Sequence, residues 1–394
     1  MKVIATESVP IKMWLDEIEE GALQQAKNLA NLPFIFRYLA IMPDAHQGYG
    51  MPIGGVLATK GVVVPNCVGV DIGCGLCALK TSYRVEDIQN LQGIVDLIKQ
   101  RIPVGFNHNI EPCDVELMPD IPDFGESKTN PILCKEFKSA QKQLGSLGGG
   151  NHFIELQKDK EGYLWIMIHS GSRNLGLKVA DYYNKQAVKL NAKYFSKVEP
   201  KWDLAFLPIE DDLAKDYFKE MQYCVDFAFA NRRLMMDRVI DCIQEVLQPA
   251  ETIAYSTNMI NIAHNYARWE NHFGQNVIVH RKGATSAKLG EIGIIPGSMG
   301  TQSYIVEGLG NEQSFMSCSH GAGRKMGRKQ AQRELNLTDE IEILNHQGIL
   351  HDMKSTENLD EATGSYKSIK TVMENQRDLV NILIELKPIA VIKG

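Results

Sequence analysis

Short apolar runs separated by glycine and polar turns dominate the first third of the chain, and longer amphipathic stretches follow. Residues 54–75 (GGVLATKGVVVPNCVGVDIGCG) read as strands divided by tight loops. Residues 86–101 predict a helix with acidic residues in its first turn. Residues 102–133, with several Pro, Asp and Asn, predict a surface loop excursion. A short helix over 135–144 runs into the glycine cluster Gly145-Ser146-Leu147-Gly148-Gly149-Gly150. The run YLWIMI at 163–168 predicts a buried strand that delivers His169. Helices are predicted over 175–195, 211–247 (with a break allowed inside it), 323–335 and 366–386, and short strands over 277–280 and 303–306. The chain closes on the apolar run Ile389 to Ile392, then Lys393 and Gly394. With no internal repeat, low-complexity tract or obvious linker, the pattern predicts a single interwoven α+β domain over 1–394.

Composition narrows this picture. The 394 residues are 44% hydrophobic and 23% charged, an ordinary globular balance able to bury a sizeable core. The formal net charge of −6 excludes a globally basic nucleic-acid binder, so any RNA contact must come from local patches. No charged-then-apolar leader or membrane-length apolar run is present. The eight cysteines form no framework pattern, which suits a reducing compartment and predicts a cytoplasmic protein without membrane partners.

Chemistry-bearing residues gather beside glycine or at strand ends. In GVDIGCG, Asp71 and Cys74 stand three apart. A carboxylate and a thiolate held by glycines can converge on a divalent ion such as Mn²⁺ or Zn²⁺, whereas the plainer reading is a turn with a buried Cys. Cys74 and Cys77 form a CxxC without the second pair of a zinc ribbon. GGGNHFIE sets Asn151, His152, Phe153, Ile154 and Glu155 after a flexible run whose N–H groups could approach phosphate; alone it reads as a turn before a strand. His169 ends its strand before Ser170-Gly171-Ser172, a good position for a ligand, although a lone histidine is more often simply hydrogen-bonded.

Further along, His264 precedes Asn265, and His280 precedes Arg281 and Lys282. IPGSMGTQS, with Pro296, Gly297, Ser298, Met299 and Ser303, makes a turn-rich polar wall. In SCSHGAGR, His320 is followed by Gly321, Ala322, Gly323 and Arg324, and from Arg324 to Arg333 there are five cations and no acid. That patch suits phosphates, and its plainer reading is a solvated helix face. No G-x-x-x-x-G-K-[ST] loop and no K-x-D-G motif occurs, so covalent nucleotide activation would need another nucleophile. A neutral imidazole nitrogen is competent at pH 7.

From MPDAHQGYGMPIGG at Met42 to the final VIKG, the chain resembles the RtcB family of RNA ligases, with six or more long motifs in the family's order. The resemblance implies an RtcB-type fold of mixed sheets with flanking helices. It also implies an enzyme that joins RNA 3′-phosphate or 2′,3′-cyclic phosphate ends to 5′-hydroxyl ends, using GTP and two Mn²⁺ ions, in tRNA splicing or RNA repair. Carried over residue by residue, His320 would be the guanylylated histidine. Asp71, Cys74, His152, His169 and His264 would be metal ligands, with Cys74 bridging. Asn151 to Glu155, His264, Asn265, Pro296 to Met299, Ser303, Gly321 to Gly323 and Lys393 would surround the guanine nucleotide, with Arg324 facing phosphate. The partners implied are tRNA halves or damaged RNA, and an activator of the archease type is left open. The chain is shorter than the longer archaeal-type members, and 102–133 follows no family pattern.

Two other readings share these motifs. A metal-dependent phosphodiesterase would need neither the histidine nucleophile nor the nucleotide pocket, so HGAGR and Lys393 argue against it. A non-catalytic RNA-binding relative has no use for a full set of catalytic-type positions.

Overall fold

The computed structural model describes residues 1–125, 131–247 and 259–394. Two sheets and a layer of helices organise them into an α+β architecture. The larger sheet has seven strands in the order Ile260–Ala263, Gly75–Arg84, Tyr163–Ser170, Phe153–Lys158, Val380–Lys393, Ser303–Gly308 and Ile292–Ile295, every neighbour antiparallel. The second sheet has six strands, Lys2–Ile4, Ile11–Met13, Ile35–Tyr49, Met51–Thr59, Gln275–Lys282 and Asn265–His272, and contains one parallel pair. The chain passes directly from the edge of one sheet to the edge of the other at His264, between Ile260–Ala263 and Asn265–His272.

Alternation along the central strands decides what faces what. Leu164, Ile166 and Ile168, with Ile154 and Leu156, pack against Ile94, Val95, Met235, Met236, Val239 and Ile243 of the helices Leu91–Arg101 and Asp212–Leu247. Trp165 and Met167 turn to the other face, where they meet Phe153, Leu76, Ile294, Ile305 and Leu386. His169, in step with Trp165 and Met167, is therefore carried on the face away from the helices.

Several expected elements shift. The helix expected from 86 begins at Leu91, where the Asn90 side chain accepts the N–H of Gly93 and caps it. Residues 211–247 form an unbroken helix, Asp212–Leu247. The strand pattern of 54–75 holds through Met51–Thr59 and Val62–Val63, then gives way to a 3₁₀ turn, Pro65–Cys67.

Two helical expectations are corrected. In 323–335 only Arg328–Glu334 is helical, because Gly323 takes φ +71° and Arg324 bridges to Tyr366. In 366–386 only Ile369–Asn375 is helical, and Val380 starts a strand that runs to Lys393. That β-branched run is held by partners on both sides, which overrides a helical period. Of the 102–133 excursion, 126–130 lie outside the described residues. The described part is irregular apart from a 3₁₀ turn at Val115–Leu117, until the helix Ile132–Gln143 begins.

Candidate active site

Register brings the sequence clusters to one end of the seven-stranded sheet. Gly75 pairs with Ser170 and with Ala263, Phe153 pairs with His169, and Lys393 pairs with Phe153. Cys74, His152 and His264 are each one residue beyond these pairs, so five separated motifs meet at a single edge. The Asp71–Cys74 turn is closed by the Cys74 N–H donating to Asp71 O at 3.1 Å, and the His264 N–H donates to Cys74 O at 2.8 Å.

The ligand atoms converge as two groups that share one sulfur. Cys74, His169 and His264 form one group, and Asp71, Cys74 and His152 the other, with the ligand atoms of each within 4.8 Å of one another. Cys74 Sγ lies 3.3 Å from His169 Nε2 and 3.5 Å from His152 Nε2. His152 Nε2 is 3.1 Å from Asp71 Oδ2, and His169 Nε2 is 3.4 Å from His264 Nε2. Two rings are fixed from behind: His152 Nδ1 faces Leu147 O at 3.0 Å and His169 Nδ1 faces Asn151 O at 3.1 Å. A carbonyl can only accept, so each Nδ1 carries the proton and each Nε2 presents its lone pair to the cluster.

Electrostatics suit the same occupant. Burial pushes the His169 and His264 imidazoles well below their usual range, so both are neutral donors at pH 7. Burial, with the Asp71 charge, pushes the Cys74 thiol well above its own range. A coordinated cation displaces that proton. Burial alone would also raise Asp71, but the neighbouring His152 ring and Cys74 thiol hold its carboxyl below the ordinary carboxylate range. Three imidazoles, a thiol and a carboxylate in two groups joined by sulfur fit a pair of borderline divalent ions.

His320 stands beside this cluster, its ring centroid 4.8 Å from that of His264. The strand Ser317–Ser319, paired with Ala284–Ser286, delivers it. Its Nδ1 lies 2.6 Å from Asp44 Oδ2, and the same oxygen accepts the N–H groups of His320 and Gly321 at 3.1 and 3.3 Å. Burial by itself would raise the Asp44 carboxyl; the His320 imidazole reverses this and holds it low. Nδ1 is thereby the protonated nitrogen, and Nε2 is left with a free lone pair. Glycine is required at 323, because a Cβ there would sit 2.0 Å from Asp44 O.

A cavity of about 680 Å³ opens over His320. Asn151, Phe153, Glu155, His169, Pro296, Gly297, Ser298, Met299, Gly321, Ala322, Gly323, Arg324 and Lys393 line it. Its size is that of an ordinary small-molecule site. Glu155 is buried at the back, where burial pushes its carboxyl up to about 7. Its Oε2 accepts from Gln157 Nε2 at 2.6 Å. Lys393 Nζ is 5.3 Å from the Phe153 ring centroid and 3.3 Å from Glu361 Oε2.

Five expected site residues do not line the cavity, His264 among them, since it sits in the ligand-type group with Cys74 and His169. Ile154 is packed among the core side chains under the helices, because strand alternation turns it away from Phe153 and Glu155. Ser303 acts one step back: its hydroxyl accepts from Gly297 N and Gln157 Nε2, both at 3.2 Å, and so fixes the Pro296–Met299 turn. Asn265 donates to Asp71 O and accepts from Gly283 N, tying the metal turn to the backbone beneath His320. His152 belongs to the group of ligand-type side chains with Asp71 and Cys74. Arg324 does line the cavity, but its guanidinium is already paired with Glu361 Oε1 at 3.1 Å and with the Asp360 carbonyl.

Sequence reading missed Asp44, His46, Arg173, Glu361 and Tyr366. Asp44 and His46 lie in PDAHQG, where an acid and a histidine between proline and glycine were the available signal. Arg173 takes φ 59° at the start of a helix, with its side chain bonded to Ser146 Oγ and Gly105 O; a φ value leaves no mark in sequence. Glu361 gathers Arg324, Arg328, Lys393 and the Tyr366 hydroxyl, a convergence that only tertiary structure creates.

Comparison with known proteins identifies the family. The family model for tRNA-splicing ligase RtcB matches residues 25–120 and 113–394. The RNA-splicing ligase RtcB of Escherichia coli (strain K12) is 39% identical over 411 residues, covering 100% of this chain and 99% of the relative. The tRNA-splicing ligase RtcB of Thermococcus kodakarensis is 31% identical over 442 residues, covering 95% and 92%. RNA-splicing ligase RtcB homolog 1 of Entamoeba histolytica is 32% identical over 445 residues, covering 95% and 84%. With sequence similarity running from end to end through every cluster gathered at the sheet edge, the chain belongs to the RtcB family.

Proposed function

We propose that this protein is a GTP-dependent RNA ligase that joins 3′-phosphate or 2′,3′-cyclic phosphate ends to 5′-hydroxyl ends through a GMP–His320 intermediate. The observation that carries the proposal is the imidazole held by Asp44 at 2.6 Å, beside the two-group ligand cluster and under a nucleotide-sized cavity. The names of the relatives support RNA as the class of substrate.

Two bound Mn²⁺ ions would neutralise the triphosphate and polarise its α-phosphorus. His320 Nε2 attacks that phosphorus. The N–P bond forms, the bond to the β-phosphate oxygen breaks, and pyrophosphate leaves with the electron pair. The positive charge gained by the ring is stabilised through Nδ1–H by the Asp44 carboxylate. Alignment and electrostatic stabilisation carry this step. An RNA 3′-phosphate oxygen then attacks the same phosphorus, and His320 leaves as a neutral imidazole. The RNA 5′-hydroxyl next attacks the terminal RNA phosphorus, loses its proton and releases GMP. A cyclic phosphate is opened by water before entering this sequence.

The base end of the cavity suits guanine. Glu155 offers a buried carboxylate acceptor to a ring edge carrying N–H donors, and Phe153 offers an apolar edge beside Lys393. Eight free thiols, Cys74 among them, suit a cytosolic setting. Among the described residues no helix is long and apolar enough to cross a membrane.

Incubation with GTP labelled at the α-phosphate and Mn²⁺ tests the proposal. The chain should acquire acid-labile, alkali-stable label, and His320→Ala should acquire none. Wild-type protein that stays unlabelled, or His320→Ala that labels normally, would exclude it.

A further inference from the structure

Outside the cavity, the most exposed large apolar side chain among the described residues is Phe106, at 102% of full exposure. Its surroundings are built. Val104 pairs in parallel with Gly148, the Gly105 N–H donates to Gly148 O at 2.8 Å, and Arg173 Nη2 donates to Gly105 O at 3.2 Å. Gly105 then turns the chain outward with φ +62°. Asn107 N–H closes the turn on Val104 O at 3.1 Å. The far foot is Asn109, whose backbone N–H donates to Lys142 O at 2.9 Å. Its side-chain amide donates to Leu144 O at 2.7 Å and accepts from Arg238 Nη1 at 3.3 Å. The result is a short tip, Phe106-Asn107-His108, exposed between two anchored feet.

The near foot is one residue from the metal cluster. Leu147 accepts the Nδ1–H of His152 on its carbonyl and donates its N–H to Pro103 O at 2.9 Å. The glycine run between them is flanked by guanidinium groups. A Cβ at Gly148 would lie 2.0 Å from Arg173 Nη1, and one at Gly150 would lie 3.1 Å from Arg328 Nη2. The tip therefore presents a bare aromatic ring next to Gly105, whose carbonyl accepts from Arg173, on a backbone tied through Pro103 and Leu147 to His152 and needing no ordering when something binds.

We propose that Phe106 is a stacking platform for an unpaired nucleobase of the RNA end, making it a substrate-binding residue of the ligase site. The inference rests on the ligase reading above. Single-stranded bases stack on exposed aromatic rings whatever their sequence, while cations hold the backbone. An uncovered ring on anchored backbone, one residue from the Gly105 carbonyl that Arg173 holds, has that chemistry. Because stacking uses the base face, the platform would accept ends of any sequence.

The test measures binding of a short RNA carrying 2-aminopurine at its terminal nucleotide and a 3′-phosphate, with Mn²⁺ present. Wild type, Phe106→Ala, Phe106→Leu and Phe106→Trp are compared, with melting temperature as the check on folding. Stacking predicts fluorescence quenching on wild type and a Kd raised roughly tenfold in Phe106→Ala. It predicts no rescue by Leu, rescue by Trp, and little effect of Phe106→Ala on an RNA whose terminal nucleotide is abasic. An unchanged Kd in Phe106→Ala, full rescue by Leu, or an equal penalty on the abasic RNA overturns the proposal. Label transfer from GTP to wild-type His320 needs no RNA, so failure of the ligase reading would be seen separately.

Discussion

A single carboxylate oxygen, Asp44 Oδ2, holds His320 by its ring nitrogen and its backbone N–H at once, while Asp44 Oδ1 is buried without a partner. The arrangement fixes both the tautomer and the direction of the ring. Asp44→Asn retains an acceptor but loses the negative charge that would stabilise a guanylylated imidazole in the proposed mechanism. Guanylylation of His320 should slow by roughly 10³-fold with Mn²⁺ affinity little changed, since Asp44 touches no ligand. Rapid-quench label transfer at saturating GTP measures this, and a near-normal rate would remove Asp44 from the mechanism.

The shared sulfur makes a separate prediction. Because Cys74 belongs to both ligand groups, Cys74→Ala should weaken both metal positions together, by at least about 100-fold. His264→Ala, on one group only, should leave the Asp71–Cys74–His152 position able to bind. Calorimetric Mn²⁺ titration distinguishes them: two sites in wild type, one in His264→Ala, none in Cys74→Ala over the same range. Equal stoichiometry in both variants would contradict the bridging role.

How much of this was legible beforehand depends on whether local sequence or long-range pairing decided each feature. The strand ending in His169 was readable because YLWIMI is apolar throughout and is buried on both faces of the central sheet. Glycines and a strand end singled out Asp71, Cys74 and His169 as candidates, whereas the full set with His152 and His264 came only from the family resemblance, and their meeting depends on long-range register. The strand Val380–Lys393 was misread as helix from its first half, where Asn381 to Leu383 is exposed and the partners lie far away in sequence. Asp44 was invisible as a partner of His320, 276 residues distant. Ile154 was placed at the nucleotide by proximity to its neighbours, although period-two alternation already required it to face away.

That alternation is itself testable. Ile154 is 1% exposed among Ile166, Ile168, Met235 and Ile243, whereas Phe153 and Glu155 line the cavity. Ile154→Ala should destabilise the fold by about 2–5 kcal/mol and leave the KM for GTP unchanged below the melting transition. Phe153→Ala should raise that KM. A rise in KM with Ile154→Ala and no loss of stability would mean the strand is out of register with this description.

Glu155 links the cavity to stability. Burial raises its carboxyl to about 7, against an unfolded value near 4.5, despite the opposing pull of Lys393. Between those pH values the folded chain keeps a proton that the unfolded chain releases, so stability falls as pH rises. It is fully present below about 4.5 and lost once pH passes 7. The displacement corresponds to about 3 kcal/mol at most. Glu155→Gln cannot ionise, so in nucleotide-free protein its urea-unfolding free energy should lack this component of decline between pH 5 and 8, and it should exceed wild type at pH 8. The same change replaces the carboxylate proposed to read guanine with an amide, so discrimination between GTP and ATP in label transfer should narrow. Parallel stability curves for the two proteins would mean that Glu155 is ionised, or solvated, throughout that range.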